Sequence, residues 1–205
     1  MAATLKYIQP DAEEFMIHLA RVSSDNENNP EYVRLLNKCM RDGHWSVFEM
    51  ADVVMEIYTS RAVSAQILRH RSFHFQEFSQ RYAVADLGWE LKEARLQDTK
   101  NRQNSIDFDD EELKGEWLIK QSQVATQAKL TYEWAISNGI AKEQARSVIP
   151  EGLIMSRLYM CGTIRSWIHY VQLRTEAGTQ KEHREVAQLC SDEIKNAIPE
   201  LKEII

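Results

Sequence analysis

Glycine and proline are scarce, seven and four in a chain of 205 residues, which excludes collagen-like and Gly/Pro-rich low-complexity structure. No apolar run approaches the ~20 residues a membrane-spanning helix needs, so no membrane partner is expected. The first residues place Lys6, Asp11, Glu13 and Glu14 where a secretory signal needs an unbroken apolar stretch, and the expected location is cytoplasmic. Only three cysteines occur, Cys39, Cys161 and Cys190, far apart and without a Cys-x-x-Cys. Reduced buried thiols suit that pattern better than a disulfide framework or a zinc site. Basic residues are outnumbered, 25 against 31 acids. The net charge of −6 disfavours broad nucleic-acid binding, because that affinity comes from Lys and Arg neutralising phosphates. Also missing are Gly-x-Gly-x-x-Gly, Gly-x-x-x-x-Gly-Lys-Ser/Thr, Gly-x-Ser-x-Gly and His-Glu-x-x-His, so Rossmann and P-loop nucleotide binding are disfavoured.

What is present describes one ordinary domain able to bury a core, with 43% hydrophobic and 27% charged residues. Asn28 and Asn29 before Pro30 predict a helix start, and Val33, Leu36 and Met40 continue it to Gly43. Val53, Met55 and Ile57 alternate with Val54, Glu56 and Tyr58, predicting a strand over Ala51–Tyr58. Ala62–Arg71 reads as helix, and Ser72–Tyr82 as loop or strand. From 86 to about 110 the chain offers little to bury, which predicts a mobile polar surface insertion within a single domain over 1–205. A long helix should follow from a cap at Asp109 or Asp110, its stripe of Leu113, Trp117, Val124, Ala128 and Ala135 ending at Gly139 as the central pillar of the core. Ala141–Val148 predicts a helical turn stopped by Pro150, and Ile164, Trp167, Ile168 and Val171 mark another helix. Thr179 and Glu182 fit a capping box for a last helix ending before Pro199. From periodicity alone the fold is mixed helix and strand.

Charge is unevenly placed. Arg61, Arg69, Arg71 and Arg81 face a single acid, Glu77, within their span, whereas Asp107–Glu116 holds six acids and one Lys. Guanidinium groups crowded together are costly to bury unless an anion arrives, and phosphate is the natural guest. Arg81 can fork onto phosphate oxygens while the Ser79 hydroxyl supplies a neutral donor. From charge alone a solvated basic helix end is the preferred reading, and a noncatalytic anion-binding module is a rival use of the same cluster. His70 and His74, four apart, admit a metal-dependent phosphohydrolase, although no third ligand has a suggestive position.

The spacing is more specific than the charge. Arg69-His70-Arg71, seven residues, then Ser79 resembles the signature of the flavin-dependent thymidylate synthase family. Gly43-His44-Trp45-Ser46-Val47-Phe48-Glu49 is similar to that family's Gly-His-x-Ser/Thr-Pro-Phe-Glu, and Gln66 precedes Arg69 by three. Ala145-Arg146-Ser147-Val148-Ile149-Pro150 resembles its Ala-Arg-x-x-Leu-Pro, and Arg165, Arg174 and Gln180-x-Glu182-x-Arg184 follow its last pattern. Together these segments span 43–184.

The resemblance implies reductive methylation of dUMP to dTMP, with 5,10-methylenetetrahydrofolate as carbon donor, FADH2 as hydride donor and NADPH re-reducing the flavin. It implies an α+β fold, helix-rich with an antiparallel sheet, assembled as a homotetramer whose subunits share sites, and it implies no metal. Carried over residue by residue, Gln66, Ile67, Leu68, Arg69, Glu77, Phe78, Ser79, Gln80, Arg81, Arg146 and Arg174 fall at dUMP, with Arg174 catalytic. Ser46, Arg69, His70, Arg71, Glu77, Thr163, Ile164, Arg165 and His169 fall at FAD, and His44 at the flavin and folate side. The chain departs from the family pattern at Val47, where proline is usual, and at Met50, Thr163 and Gly178, where His, Asn and His are frequent.

Overall fold

The computed structural model describes residues 1–205 as β1 (Ala2–Ile8), α1 (Ala12–Ala20), α2 (Val33–Asp42), β2 (Asp52–Ser60), α3 (Arg61–Ile67), β3 (His74–Glu77), β4 (Leu96–Gln97), β5 (Ser105–Ile106), α4 (Glu111–Ser137), α5 (Lys142–Ala145), β6 (Met155–Thr163), α6 (Ile164–Arg174) and α7 (Lys181–Ala197). Four strands form an antiparallel sheet in the order β1-β2-β6-β3. Seven helices beside it make the fold α+β, as the family resemblance implied. No helix is long and apolar enough to cross a membrane.

The alternation read in β2 is what builds the core. Val53, Met55 and Ile57 are fully buried, as are Leu158 and Met160 on the neighbouring β6. They pack in one cluster with Trp167, Tyr170 and Val171 of α6 and Val186, Cys190 and Ile194 of α7. Trp167 is wholly buried, and its indole N–H is satisfied by the Val53 carbonyl at 3.2 Å. The opposite face of the sheet is polar: the Tyr159 hydroxyl donates to Glu56 at 3.0 Å, and Lys6 pairs with the same carboxylate at 2.7 Å. The first strand is also tied to the last helix, because the Leu5 N–H donates to the Glu193 carboxylate at 2.8 Å.

Side-chain caps start two of the helices, and three other features depart from expectation. Asp110 Oδ1 accepts from the Leu113 N–H at 3.0 Å to start α4, and Thr163 Oγ1 accepts from the Ser166 N–H at 3.2 Å to start α6. Helix α2, however, starts at Val33 and not at Pro30, because the Arg21 guanidinium grips the Asn29 and Glu31 carbonyls and holds that segment outside the helix. Thr179 does not cap α7: its hydroxyl donates to the Leu173 carbonyl at 3.3 Å, and Gln180 occupies the cap position. The long α4 is not the central pillar. Only Gln121, Ala128, Tyr132 and Ala135 of it are buried, while Trp134 is 61% and Ile119 59% exposed. The reason is that α6 and α7 already cover the inner sheet face, leaving α4 to lie outside.

The polar stretch after Asp86 lies at the surface but is laced down. Trp89 pairs with Ile154, the Glu90 N–H donates to the Leu153 carbonyl at 2.8 Å, and Gln121 brackets the Lys92 backbone at 2.8 and 2.7 Å. Arg95 is carried inward to a largely buried ion pair with Glu182.

One close approach in the sheet yields a test. A Cβ on Gly162 would lie 2.5 Å from the Phe73 ring, which is backed by the Trp167 ring at 5.0 Å between centroids. Gly162→Ala should therefore destabilise the fold by about 1–3 kcal/mol through overpacking, read as a lower midpoint in chemical denaturation with an unchanged slope.

Candidate active site

Strand β3 and the turn after it present the first group of residues. Glu77 lies opposite Leu158 in the sheet, and its Oε1 accepts from the hydroxyls of Ser64 at 2.6 Å and Ser156 at 2.8 Å. Its other oxygen lies 3.7 Å from Arg61, so the carboxylate pairs with Arg61 and not with Arg71. The Phe78 N–H continues the ladder to the Arg157 carbonyl at 2.8 Å. Ser79 then turns the chain, its carbonyl accepting from Tyr82 and Ala83 at 3.1 Å, which buries Gln80 and projects Arg81 outward. Arg81 reaches Glu143 of α5 at 3.3 Å, and Gln80, Glu143 and Arg146 line one cleft of about 390 Å³. Arg81 and Arg146, distant in sequence, thus share a corner.

The second group gathers where α3 and α6 end. Arg174 Nε donates to His70 Nε2 at 2.9 Å. His70 also stands edge-on to Tyr170, at 5.0 Å between centroids, and faces the fully buried His183 at 6.4 Å. His183 Nδ1 lies 3.2 Å from the Gln66 carbonyl oxygen and its Nε2 lies 3.1 Å from the Tyr170 hydroxyl. Burial first and the Arg174 charge second push His183 down to about 3 and His70 down to about 4. Both rings are neutral at neutral pH, and His70 Nε2 is an acceptor. Leu68 and Arg69 lie exposed just past α3, while Ile67 is wholly buried and can offer a ligand only its backbone.

A second cleft, about 450 Å³, opens between Trp45, Ser72, Arg165 and His169. Arg165 forms an ion pair with Glu49, and His169 stands one turn along the same exposed face of α6. Ser46 and His44 lie exposed on the neighbouring segment, and Arg71 is exposed beside Ser72. Thr163 spends its hydroxyl on the α6 cap, and Ile164 is buried with its N–H bonded to the Ala51 carbonyl at 2.9 Å. His74 sits on β3 opposite Cys161, whereas His70 turns to Arg174, so the two histidines do not form a metal pair. No cluster of three or more His, Cys, Asp or Glu is placed to hold a metal ion.

One protomer therefore brings Arg81 to Arg146, His70 to Arg174 and Arg165 to His169, with the first and last of these pairs at different clefts. Sequence reasoning missed Ser64 and Ser156, which hold Glu77, and the partners His183, Tyr170 and Arg95. Serines carry no pattern of their own. His183, by contrast, lies inside Gln180-x-Glu182-x-Arg184 at a position the motif leaves open, and its burial on an apolar helix face was the available signal.

A family model described as thymidylate synthase complementing protein matches residues 4–200. The flavin-dependent thymidylate synthase of Synechocystis sp. is 53% identical over 175 residues, covering 85% of this chain and 80% of that protein. A probable flavin-dependent thymidylate synthase of Paramecium bursaria Chlorella virus 1 is 48% identical over 183 residues, covering 88% of this chain and 84% of that one. Among solved structures, a UMP/dUMP methylase from Streptomyces cacaoi bound with 5-Br UMP superposes with a TM-score of 0.84 at 20% identity, covering 99% of this chain and 92% of that chain.

The neutral histidines set a pH dependence. A group whose folded value lies far below its unfolded one contributes stability that is complete above about 6.5 and is lost as pH falls toward the folded value, because only the unfolded chain takes up the proton. In denaturation measured between about pH 6 and 4, His183→Asn should flatten the loss of stability by about 1.4 kcal/mol per pH unit, the slope of one proton. Parallel curves for the two proteins would show that the His183 ring titrates alike in both states.

Proposed function

The chain belongs to the thymidylate synthase complementing protein family, and on that premise we propose that it converts dUMP to dTMP by flavin-dependent reductive methylation. The carbon donor is 5,10-methylenetetrahydrofolate, and NADPH is the final reductant. The observation that supports the site assignment is a surplus of unpaired cations in an acidic protein. The ion pairs nearest the clefts occupy Arg61, Arg81 and Arg165, while Arg69, Arg71, Arg146 and Arg174 have no carboxylate within ion-pair distance. Such groups await an anionic ligand.

In this reading Arg81 and Arg146 hold the 5′-phosphate. The Arg81–Glu143 pair is exposed on both sides, so exchanging that carboxylate for a phosphate costs little. Glu77, fixed by two serine hydroxyls, is a preset acceptor toward the nucleotide. Arg174 meets the uracil. Its Nε is spent on His70, which aims the planar group and leaves the terminal N–H groups free. Negative charge held at N3 and O4 pushes electron density onto C5, and the aimed guanidinium stabilises that charge without any covalent bond to the enzyme, so that C5 can attack the methylene carbon. The C5–carbon bond forms, the C5 proton leaves as the bond from that carbon to the folate nitrogen breaks and releases tetrahydrofolate, and hydride reduction of the attached carbon completes the methyl group. FAD supplies, when bound and reduced, the hydride for that reduction. The cleft beside Arg165, His169 and Ser72 combines cation, imidazole and hydroxyl, a donor set that fits an anionic aromatic cofactor; Ser46 and Arg71 adjoin its Trp45 and Ser72 in the chain, and the family pattern adds Arg69.

The reading takes residues 1–205 as one catalytic domain and assembles it as a homotetramer. Support comes from the separation of the Arg146 cleft from the Arg165 cleft and from α4, whose Ile119, Leu130 and Trp134 stand 57–61% exposed along a 27-residue helix. An apolar face of that extent marks a protein interface.

Two experiments test the reading. Arg174→Ala should cost about 2.7–4 kcal/mol of transition-state stabilisation, measured as tritium release from 5-tritiated dUMP with flavin and NADPH present, while the yellow flavin stays bound; undiminished release would remove Arg174 from catalysis. By light scattering the purified protein should have four times the mass of its 23.9 kDa chain. Trp134→Glu should break that assembly and release flavin, and an unchanged tetramer would place the interface elsewhere.

A further inference from the structure

A carboxylate can only accept hydrogen bonds, and Glu182 is a buried one, 6% exposed. Burial works against its charge, but the Gln180 amide, its own backbone N–H and the Arg95 guanidinium outweigh burial and hold the carboxyl below its ordinary range. Gln180 must therefore turn its NH2 end to Glu182 Oε2, at 2.7 Å, which turns its carbonyl to Gln66. Gln66 in turn donates Nε2–H to Gln180 Oε1 at 2.7 Å and directs its own carbonyl inward to His183 Nδ1. Two acceptors cannot bond, so Nδ1 carries the ring proton. Nε2 of the neutral ring is then an acceptor, filled by the Tyr170 hydroxyl. Each group leaves the next no choice, and the polarity runs one way from the core to the surface. Arg95 closes the outer end, in an ion pair whose side chains are 11% and 7% exposed.

We infer that this one-way chain positions Gln66 with an amide N–H, and not its carbonyl, facing the nucleotide, so that Gln66 reads an acceptor oxygen of the pyrimidine nucleotide. The inference rests on the placement of Gln66 in the dUMP site. His183 is fully buried and Glu182 nearly so; with Gln180 they are positioning residues acting through Gln66. The 86–110 segment, which supplies Arg95, becomes part of substrate recognition without touching substrate.

Glu182→Gln tests the polarity at constant shape. Its one carbonyl must face Arg95, so its amide N–H faces Gln180, and every donor in the chain becomes an acceptor as far as His183. Long-range proton–nitrogen correlation spectra of the histidine-labelled full chain should show His183 protonated at Nδ1 in the native protein and at Nε2 in Glu182→Gln, with the resonance assigned from its absence in His183→Asn. Calorimetric titration with dUMP should show about tenfold weaker binding, the loss of one aligned hydrogen bond. Gln180→Leu, at an exposed position, should weaken dUMP binding similarly. An unmoved tautomer in Glu182→Gln, or unmoved dUMP affinity in either variant, overturns the inference. Native protein that shows the expected tautomer yet binds no dUMP would overturn the site assignment instead.

Discussion

Strands β2 and β6 pair residue for residue from Asp52 opposite Thr163 to Ser60 opposite Met155, and each strand runs directly into a helix. Helix α3 leaves β2 at one end of the pair and α6 leaves β6 at the other, so the register fixes where the two helices meet. That meeting point is His70 against Arg174. Side chains alternate between faces along a strand, so a slip of one residue would expose Val53, Met55 and Ile57 and carry Arg174 away from His70 at the same time. The core and the site are thus secured by the same constraint. Glu77 depends on it too, since Ser156 of β6 supplies one of its two hydroxyl donors.

What surrounds Arg174 is a choice of neutral partners. In a chain with a net charge of −6 a carboxylate would be the ordinary neighbour for a half-buried guanidinium, yet here the neighbours are two imidazoles kept uncharged by burial and by Arg174 itself. A carboxylate would quench the positive charge; an imidazole lone pair aims it and leaves it whole. The acids are stationed elsewhere, at Glu143 and Glu49 on exposed arginines and in the run that opens α4.

Local signals in the sequence were legible wherever one residue type decides the structure alone. The β2 alternation, the Asp110 cap and the stop at Gly139 needed no distant partner, and the family spacing named the Arg and Glu set. Legibility failed where a distant group intervened. Arg21 displaced the start of α2, and α6 and α7 occupied the sheet face on which the α4 stripe was expected to pack. Likewise Thr179 and Glu182 match a capping box, but Leu173 and Arg95 claim them instead. Buried partners such as Tyr170 and His183 read as plain core residues until the fold brings Gln66 to them.

The bond between Leu5 and Glu193 joins positions 188 apart, and β1 and α7 complete the same cluster. At ~5–20 residues per second, the ribosome delivers α7 roughly ten to forty seconds after β1. For that interval Ala3, Leu5 and Ile8 lack the cover that α7 gives them, so the nascent chain carries an exposed apolar face until its last helix arrives.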